Sequence, residues 1–424
     1  MAKTKTKKPK KTAKQKWAIF GKIVMWIVIV IAVIAAIIAT MNAISVKSTN
    51  NFISTIKAVE YDNQLKPAVD EKDGYYTFTT DDDFKVVQLS DVHIGAGFMS
   101  TKKDIMAANA VEAMVRAEKP DLVVVTGDIG YPVPFQSGTL NNKNAAKIFA
   151  NLMEKMGVYW CLTYGNHDTE AYSFFNRADI SKIYSNKEKY PHCLFQSGPE
   201  DVDGYGNYPI KVKNSAGKIT QVFFMIDSHS YTDGDYFGAL WKYDCIHKNQ
   251  IDWYEKNVKA FTEENGGEVP KSMMFFHIPI QEMQTAYYEY RDNGFKDTDR
   301  VKYVYGKTGE SGKVVYASDK NEGMFDKIKE LGSTKGVFFG HDHTNNISFM
   351  YDGIQLGYSY TVDYLAYMGI YQYGVQRGCA VMEVHPDGTY DRTLENYYQE
   401  KYKPINEKEK VTMKDYHSDL VSRE

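Results

Sequence analysis

The first long apolar stretch of the chain is a run of nineteen uncharged residues from Ile23 to Met41. At about 1.5 Å per residue, a helix of this length crosses the hydrocarbon core of a bilayer. A cleaved signal peptide, the alternative, usually has a shorter apolar region that ends at small residues. The pattern therefore predicts a signal anchor, with one transmembrane helix over residues 23–41 and the membrane as a partner.

Lysine is concentrated in front of this span. Residues 1–22 contain nine Lys and no acidic residue, which predicts a cytoplasmic Lys-rich tail and places the rest of the chain on the outer side of the cell membrane. That remainder carries 42 basic and 54 acidic residues, so nucleic acid is not expected as a partner. Residues 42–72 are polar and weakly patterned, as is typical of a linker.

Beyond the linker, short apolar runs alternate with amphipathic stretches, which is the pattern of an α/β fold. Apolar residues at helical spacing predict helices over Lys103–Glu118, Asn144–Met156 and Glu322–Leu331. Strands are predicted at Tyr75–Thr79, at Phe84–Leu89 and in the runs DLVVVTG, VYWCLTYG, QVFFMIDS, SMMFFHIP and GVFFG. Residues 281–321 lack a clear period and are predicted to be a long loop or insertion near the functional site. We place one domain over residues 73–400 and a polar C-terminal tail over 401–424.

Five of the apolar runs end in residue types that ligate metals. In chain order these are Asp91-Val92-His93, Asp128, Asn166-His167-Asp168, His277 and His341-Asp342-His343. Functional residues of α/β proteins gather at the carboxyl ends of strands, so the five clusters can converge on one site. A single Gly-Asp or His at such a position is usually a turn residue, but turn chemistry does not explain five clusters in this order.

Asp-x-His, Gly-Asp, Gly-Asn-His-Asp, a later His and Gly-His-x-His together resemble the signature of the calcineurin-like metallophosphoesterases, from about Phe84 to Ser348. This resemblance implies a four-layer fold, with two packed mixed β-sheets flanked by helices, preceded here by the transmembrane helix. The sequences FFHIP at 275–279 and GVFFGHDHTNN resemble a branch related to the small purple acid phosphatases.

The resemblance also implies two divalent or mixed-valence metal ions. The ligands of one would be Asp91, His93, Asp128 and His343, and those of the other Asp128, Asn166, His277 and His341. Asp128 would bridge, since a carboxylate has two oxygens that can serve two cations. Mixed oxygen and imidazole donors suit manganese, iron or zinc.

Tyr131 decides the placement within the branch. Purple acid phosphatases proper have a Tyr three residues after the bridging Asp, and they lack the His of Asp-x-His. Because His93 is present here, we predict that Tyr131 packs beside the site, with ligation of ferric iron as the alternative.

The expected activity is hydrolysis of phosphomonoesters. Two metal ions about 3.5–4 Å apart would lower the pKa of a bridging water, and the resulting hydroxide would attack phosphorus. His167 is predicted to protonate the leaving group as general acid, with Asp168 orienting its ring. The alternatives are a phosphodiesterase acting on cyclic nucleotides, nucleotide-lipids or envelope polymers, and a non-catalytic binding scaffold.

Other residues have open roles. Asp227 and His229 follow a predicted strand and either face the pocket or are structural. Arg377 either reaches a substrate phosphate or leads a strand. A disulfide between Cys193 and Cys245 is conceivable outside the cytoplasm.

Overall fold

The computed structural model describes residues 11–232, 234–235, 238–310, 313–367 and 377–402. Its helices are α1 Ala13–Thr55, α2 Thr101–Glu118, α3 Pro134–Ser137, α4 Asn142–Met156, α5 Arg177–Tyr184, α6 Lys248–Glu264, α7 Gln281–Asp292 and α8 Met324–Leu331. Its strands are β1 Ala68–Val69, β2 Tyr76–Thr79, β3 Phe84–Leu89, β4 Leu122–Thr126, β5 Trp160–Thr163, β6 Tyr208–Lys213, β7 Ile219–Met225, β8 Lys271–Phe275, β9 Val301–Tyr305, β10 Thr334–Phe339, β11 Ser348–Tyr351, β12 Ile354–Tyr358, β13 Gly378–Val384 and β14 Tyr390–Asn396.

The described strands form two mixed sheets. The larger has the order β1-β2-β6-β7-β8-β10-β12-β11-β9 and the smaller the order β14-β13-β3-β4-β5. Within the smaller sheet β3, β4 and β5 are parallel neighbours, and within the larger sheet so are β7, β8 and β10. The apolar runs predicted as strands therefore form the parallel centre of each sheet, as expected for strands buried on both faces.

Successive side chains along a strand point to opposite faces of the sheet, so one set packs between the two sheets and the other set packs against the outer helices. Phe223 points from β7 towards the smaller sheet, where its ring stacks on Phe84 at 5.8 Å between centroids. Its neighbour Phe224 points the other way and contacts Trp253 and Tyr254 of α6. Helices α2, α4 and α5 supply the core on the outer face of the smaller sheet, and α6, α7 and α8 that of the larger sheet. The predicted arrangement of two mixed sheets flanked by helices is confirmed.

Helix α1 differs from the prediction at its C-terminal end. It has 43 residues and so extends about 65 Å. It contains the predicted span, and among the described residues it is the one helix long and apolar enough to cross a membrane. The helix continues through Thr55 instead of giving way to a linker at residue 42. Its continuation buries Ser45, Thr49 and Ile53, whose i, i+4 spacing forms one face against the domain.

Residues 281–321 are also more ordered than predicted. They begin with α7, which buries Met283, Ala286 and Tyr287, and they continue into β9 at the edge of the larger sheet. The loop prediction is wrong here because α7 is rich in Tyr, Gln and Glu, which hides its narrow apolar stripe. The predicted tails fall largely outside the described residues, namely 1–10 at one end and 403–424 at the other.

All four cysteines are free, so the disulfide between Cys193 and Cys245 is not formed. Cys161 and Cys379 are buried, and burial raises the pKa of both thiols. Because the thiolate is the reactive form, these two buried thiols are expected to be inert.

Candidate metal centre

The candidate ligands lie where strands of both sheets end. Asp91 follows β3, Asp128 follows β4, His277 follows β8 and His341 follows β10. Asp91, His93, Asp128 and His341 all have positive φ, between 51° and 77°, a region that residues with a side chain rarely adopt. The turns are thus strained where each chain segment presents its side chain to the gap between the sheets, as is common at functional sites.

Asp128 lies at the centre of the group and is fully buried. Its Oδ2 lies 3.3 Å from His93 Nε2 and 3.1 Å from His277 Nε2. Its Oδ1 accepts a hydrogen bond from the backbone N–H of His167 at 2.8 Å. One carboxylate therefore faces candidate ligands of both predicted metal ions, as a bridging ligand must.

The other candidate ligands complete the two sets. His277 Nε2 lies 3.1 Å from Asn166 Oδ1 and 3.3 Å from His341 Nδ1. On the opposite side His343 Nε2 lies 3.4 Å from Asp91 Oδ1. Asp91, His93, Asp128 and His343 are all buried, and one ligand atom from each lies within 4.8 Å of the others. The structure thus brings together all seven residues that the resemblance implied.

These distances fit bound cations. Metal–ligand bonds of about 2.0–2.2 Å put neighbouring donors about 3.0–3.4 Å apart in tetrahedral or octahedral shells. The Nδ1 of His277 donates a hydrogen bond to the Thr126 carbonyl oxygen at 2.8 Å, and this bond fixes the ring. Its Nε2 then faces the acceptor oxygens of Asp128 and Asn166, an arrangement that suits a proton or a metal cation between them.

The pKa values of His277 and Asp128 also indicate that the site favours a cation. Burial lowers the pKa of His277, but the Asp128 carboxylate outweighs it and raises that pKa to about 9. Burial likewise opposes ionisation of Asp128, yet the His277 and His167 rings hold its pKa well below the usual range. The pocket therefore stabilises positive charge beside an ionised carboxylate.

Asp363 supports the site and was not found from the sequence. Its carboxylate accepts the backbone N–H groups of Leu365, Ala366 and Tyr367 at 2.7–2.8 Å. Its oxygens lie 3.1 Å from His93 Nδ1 and 3.6 Å from His343 Nδ1. A carboxylate on the outer nitrogen of a ligating imidazole fixes the ring and its tautomer. The only feature of the sequence that could have indicated Asp363 is its position shortly after the apolar strand β12.

The partner of His167 is Glu170, and the prediction that Asp168 orients its ring is wrong. Asp168 accepts backbone N–H groups of Asp128, Gly130 and Gly165 at 2.8–3.0 Å, so it braces the ligand-bearing loops instead. Glu170 Oε1 lies 2.6 Å from His167 Nδ1. A short 3-10 turn at His167–Thr169 brings these two side chains together.

Tyr131 packs against the site as predicted. Its ring centroid lies 4.8 Å from those of His93 and of His167. Its hydroxyl donates to Gln136 Oε1 at 2.8 Å. Burial raises the pKa of the Tyr131 hydroxyl.

Asp227 and Arg377 are structural. Asp227 forms a buried ion pair with Arg177, which also donates to the Gly165 carbonyl oxygen at 3.0 Å. Arg377 is buried, donates from Nε to the Asp363 carbonyl oxygen at 2.7 Å and stacks on Tyr364. Neither side chain is positioned to reach a substrate phosphate.

His229 belongs to a separate cluster with Asp244 and His247. Its Nε2 contacts Gln250 Oε1 at 2.9 Å, and its ring stacks on His247 with centroids 4.1 Å apart and planes 19° apart. Because ring nitrogens bind a metal in the plane of the ring, two stacked rings do not point at one common ion. We therefore interpret this cluster as structural.

An open pocket of about 270 Å³ adjoins the candidate metal ligands. His167, His341 and His343 form one wall, and the rest consists of five tyrosines, three carboxylates, a tryptophan and a glycine: Tyr172, Tyr231, Tyr243, Tyr316, Tyr367, Glu170, Glu310, Asp342, Trp241 and Gly238. No Lys or Arg is among the described lining residues. Positive charge for a phosphate would therefore have to come from the pocket histidines or from ions at the candidate ligands.

Comparison with known proteins gives the family. The model described as calcineurin-like phosphoesterase matches residues 84–345. The chain belongs to the calcineurin-like phosphoesterase family. Among relatives of this phosphoesterase, "Probable inactive purple acid phosphatase 14" of Arabidopsis thaliana is 30% identical over 339 residues, 74% of this chain and 78% of that protein. "Probable inactive purple acid phosphatase 29" of the same plant is 26% identical over 315 residues, 68% of this chain and 74% of that protein.

Two further matches are a yeast phosphatase, over a smaller share of each chain, and a solved structure. "Phosphatase DCR2" of Saccharomyces cerevisiae is 31% identical over 227 residues, which is 48% of this chain and 36% of the yeast protein. A solved dimetal phosphatase from Danio rerio superposes with a TM-score of 0.43 at 11% identity, covering 71% of this chain and 93% of that one. The predicted superfamily and its branch related to purple acid phosphatases are confirmed.

Proposed function

We propose that this chain is a membrane-anchored phosphoesterase that hydrolyses phosphomonoesters with the help of two metal ions. The observation that carries the proposal is the convergence of seven donor residues from both sheets on Asp128. Asp91, His93, Asp128 and His343 would hold one ion, and Asp128, Asn166, His277 and His341 the other. Two bound cations would neutralise phosphoryl oxygens and lower the pKa of coordinated water.

His167 is our candidate for the general acid. Its side chain is 24% exposed, and it lines the pocket beside the candidate ligands. The contact from Nδ1 to Glu170 orients the ring, leaving Nε2 as the nitrogen available to a leaving-group oxygen. A positioned acid typically contributes about 10²–10⁴-fold to the rate.

Two relatives carry the word "inactive" in their names, which makes a non-catalytic binding scaffold the competing interpretation. A scaffold has no need to keep a complete donor set. Here all seven donors are present, the Thr126 carbonyl oxygen fixes the His277 ring, Asp363 lies beside the outer nitrogens of His93 and His343, and the pocket is open to solvent. These features support catalysis.

The membrane anchor is part of the proposal. Its support is the exposed apolar part of α1 and the Lys-rich residues in front of it, which favour a cytoplasmic N-terminus and a catalytic domain on the outer side. A phosphodiesterase acting on cyclic nucleotides, nucleotide-lipids or envelope polymers is the alternative within the same chemistry.

The test is hydrolysis by the full chain, purified in detergent and loaded with manganese, iron or zinc. Aryl phosphate monoesters and diesters are compared, with Asp128→Asn as the inactive variant and Asp201→Asn, at an exposed carboxylate outside the candidate ligand set, as its control. We expect monoester hydrolysis by the parent chain and by Asp201→Asn, and its loss in Asp128→Asn. Inactivity with every metal would contradict the enzyme assignment, and a clear preference for diesters would contradict the substrate class.

A further inference from the structure

Helix α1 contacts the domain at the edge that carries the candidate metal ligands. Asn42 donates from Nδ2 to the Gly138 carbonyl oxygen at 3.1 Å and accepts the backbone N–H of Phe98 at 2.9 Å. One turn later Ser45 donates to the Gly97 carbonyl oxygen at 2.8 Å. Gly97 and Phe98 lie in the segment after β3, and Gly138 lies in the segment after β4. These two segments also carry the first three candidate ligands.

The other end of α1 meets the opposite edge of the same sheet. Beyond the helix, the Val59 backbone N–H donates to the Met156 carbonyl oxygen at 2.8 Å, and Gln64 donates to the Gly157 carbonyl oxygen at 2.7 Å. Met156 and Gly157 precede β5. Helix α1 therefore runs antiparallel to β3, β4 and β5, and its apolar N-terminal part leaves the domain on the side of the metal centre.

Exposed apolar residues surround the exit point of the helix. Phe135 is 90% exposed, Phe174 66% and Met99 51%. Met99 and Phe174 line a groove of about 590 Å³ whose other wall is Ala35, Ile38, Ala39, Asn42 and Ala43 of α1. Three exposed large apolar side chains beside a membrane-spanning helix are typical of a surface that contacts lipid.

The depth of this groove follows from the geometry of the helix. Ala35 lies six residues before Met41, the last residue of the predicted span, and so about 9 Å deeper in the bilayer. A domain surface that shares a groove with Ala35 and Ile38 must then reach the interfacial region of that bilayer. The helix continues into the domain without a break at residues 41–55, so no flexible joint separates the two.

The apolar patch is also close to the metal centre. Phe135 precedes Gln136, whose side chain accepts the Tyr131 hydroxyl at 2.8 Å, and the Tyr131 ring packs on His93 and His167. Contact of Phe135 with lipid would therefore place the pocket mouth near the headgroups.

We propose that Met99, Phe135 and Phe174 dock on the bilayer that anchors α1, so that the metal centre acts on phosphate esters carried by membrane lipids. The docking is independent of catalysis, whereas the lipid substrate class rests on the proposed phosphoesterase function. Two experiments separate these parts.

The first experiment measures depth in the full chain, reconstituted in phosphatidylcholine nanodiscs. Nitroxide labels are attached to Met99→Cys, Phe135→Cys or Phe174→Cys in a Cys245→Ser background, because the other three cysteines are buried. Val269→Cys is the control, since Val269 is exposed and precedes β8 at the opposite end of the sheets. We expect the ratio of oxygen to polar-nickel accessibility to be several-fold higher at the three patch positions than at Val269. Equal ratios would overturn the docking.

The second experiment measures substrate choice in nanodiscs that contain phosphatidic acid, a lipid phosphomonoester. We expect Phe135→Ser combined with Phe174→Ser to lower phosphatidic acid turnover about tenfold, through lost orientation at the surface, and to leave soluble aryl phosphate turnover unchanged. Equal effects on both esters, or no effect on either, would overturn the lipid substrate class. If neither ester is hydrolysed by the parent chain, the phosphoesterase function fails, and label depth alone still decides the docking.

Discussion

Gly165 lies directly beside the carboxylate of Asp128, where a larger residue has no space. A Cβ atom at this position would lie 2.1 Å from Asp128 Oδ1 and 2.5 Å from the Asp128 backbone nitrogen. Ordinary van der Waals contact begins near 3.4 Å, so the Gly165→Ala change would push the carboxylate oxygen away by about 1.3 Å. Metal–ligand distances tolerate about 0.2 Å. Asp128 could then no longer serve both ions, and we expect metal affinity to fall by about 100-fold or more, with turnover falling alongside it.

The matched control is Gly130→Ala, the same substitution two residues after Asp128. A Cβ atom there meets the Ala145 methyl group at 3.3 Å and Asp168 Oδ1 at 3.7 Å, which needs only a small adjustment. Metal content is measured by elemental analysis after dialysis, turnover with an aryl phosphate, and folding by circular dichroism of the metal-free proteins. If folded Gly165→Ala keeps the metal content and turnover of Gly130→Ala, Asp128 does not bridge two ions as proposed.

Further predictions concern the groups around the ligands and the separate cluster that contains His247. His167→Asn should lower kcat about 10²–10⁴-fold with metal content unchanged; loss of metal would mean that His167 is a ligand. Glu170→Gln should lower kcat less than His167→Asn, because Glu170 orients the His167 ring through its contact with Nδ1; an unchanged kcat would contradict that positioning role. Asp363→Ala should weaken metal binding about 10–100-fold in calorimetry; unchanged affinity would remove its positioning role. The hydrogen bond to Asp244 raises the pKa of His247 to about 9, against its usual 6.5. The stability this provides is complete below pH 6.5 and is lost as the pH rises to about 9, so His247→Gln should flatten that part of the urea-unfolding profile. After allowance for solvent exposure the effect should be about 1 kcal/mol or less, and an unchanged slope would contradict it.

The sequence was sufficient to predict those strands and candidate ligands that leave a local pattern along the chain. The apolar runs that became β3, β4, β8 and β10 are short, continuous and followed by polar residues, so both the strands and the candidate ligands behind them could be predicted. The family resemblance then grouped the ligands into two sets. The structure brings the members of each set within 3.1–3.4 Å of a neighbour.

The remaining features depend on contacts between distant parts of the chain. Asp363 reaches His93 only because the segment after β12 folds against that after β3, and no local pattern records this. Asp168 was the natural partner for His167 by proximity, but its oxygens are held by amides of other loops, which leaves Glu170 as the partner. The helical continuation of α1 beyond residue 41 likewise depends on Asn42 and Ser45 finding carbonyl groups in the domain.

Metal titration of the metal-free full chain, with hydrolysis of an aryl phosphate followed against the number of bound ions, tests the dinuclear centre directly. We expect two ions to bind per chain, with activity appearing as the second ion binds. Asp128→Asn should bind at most one ion and remain inactive. Binding of a single ion with full activity, or activity in the thoroughly chelated protein, would contradict the account.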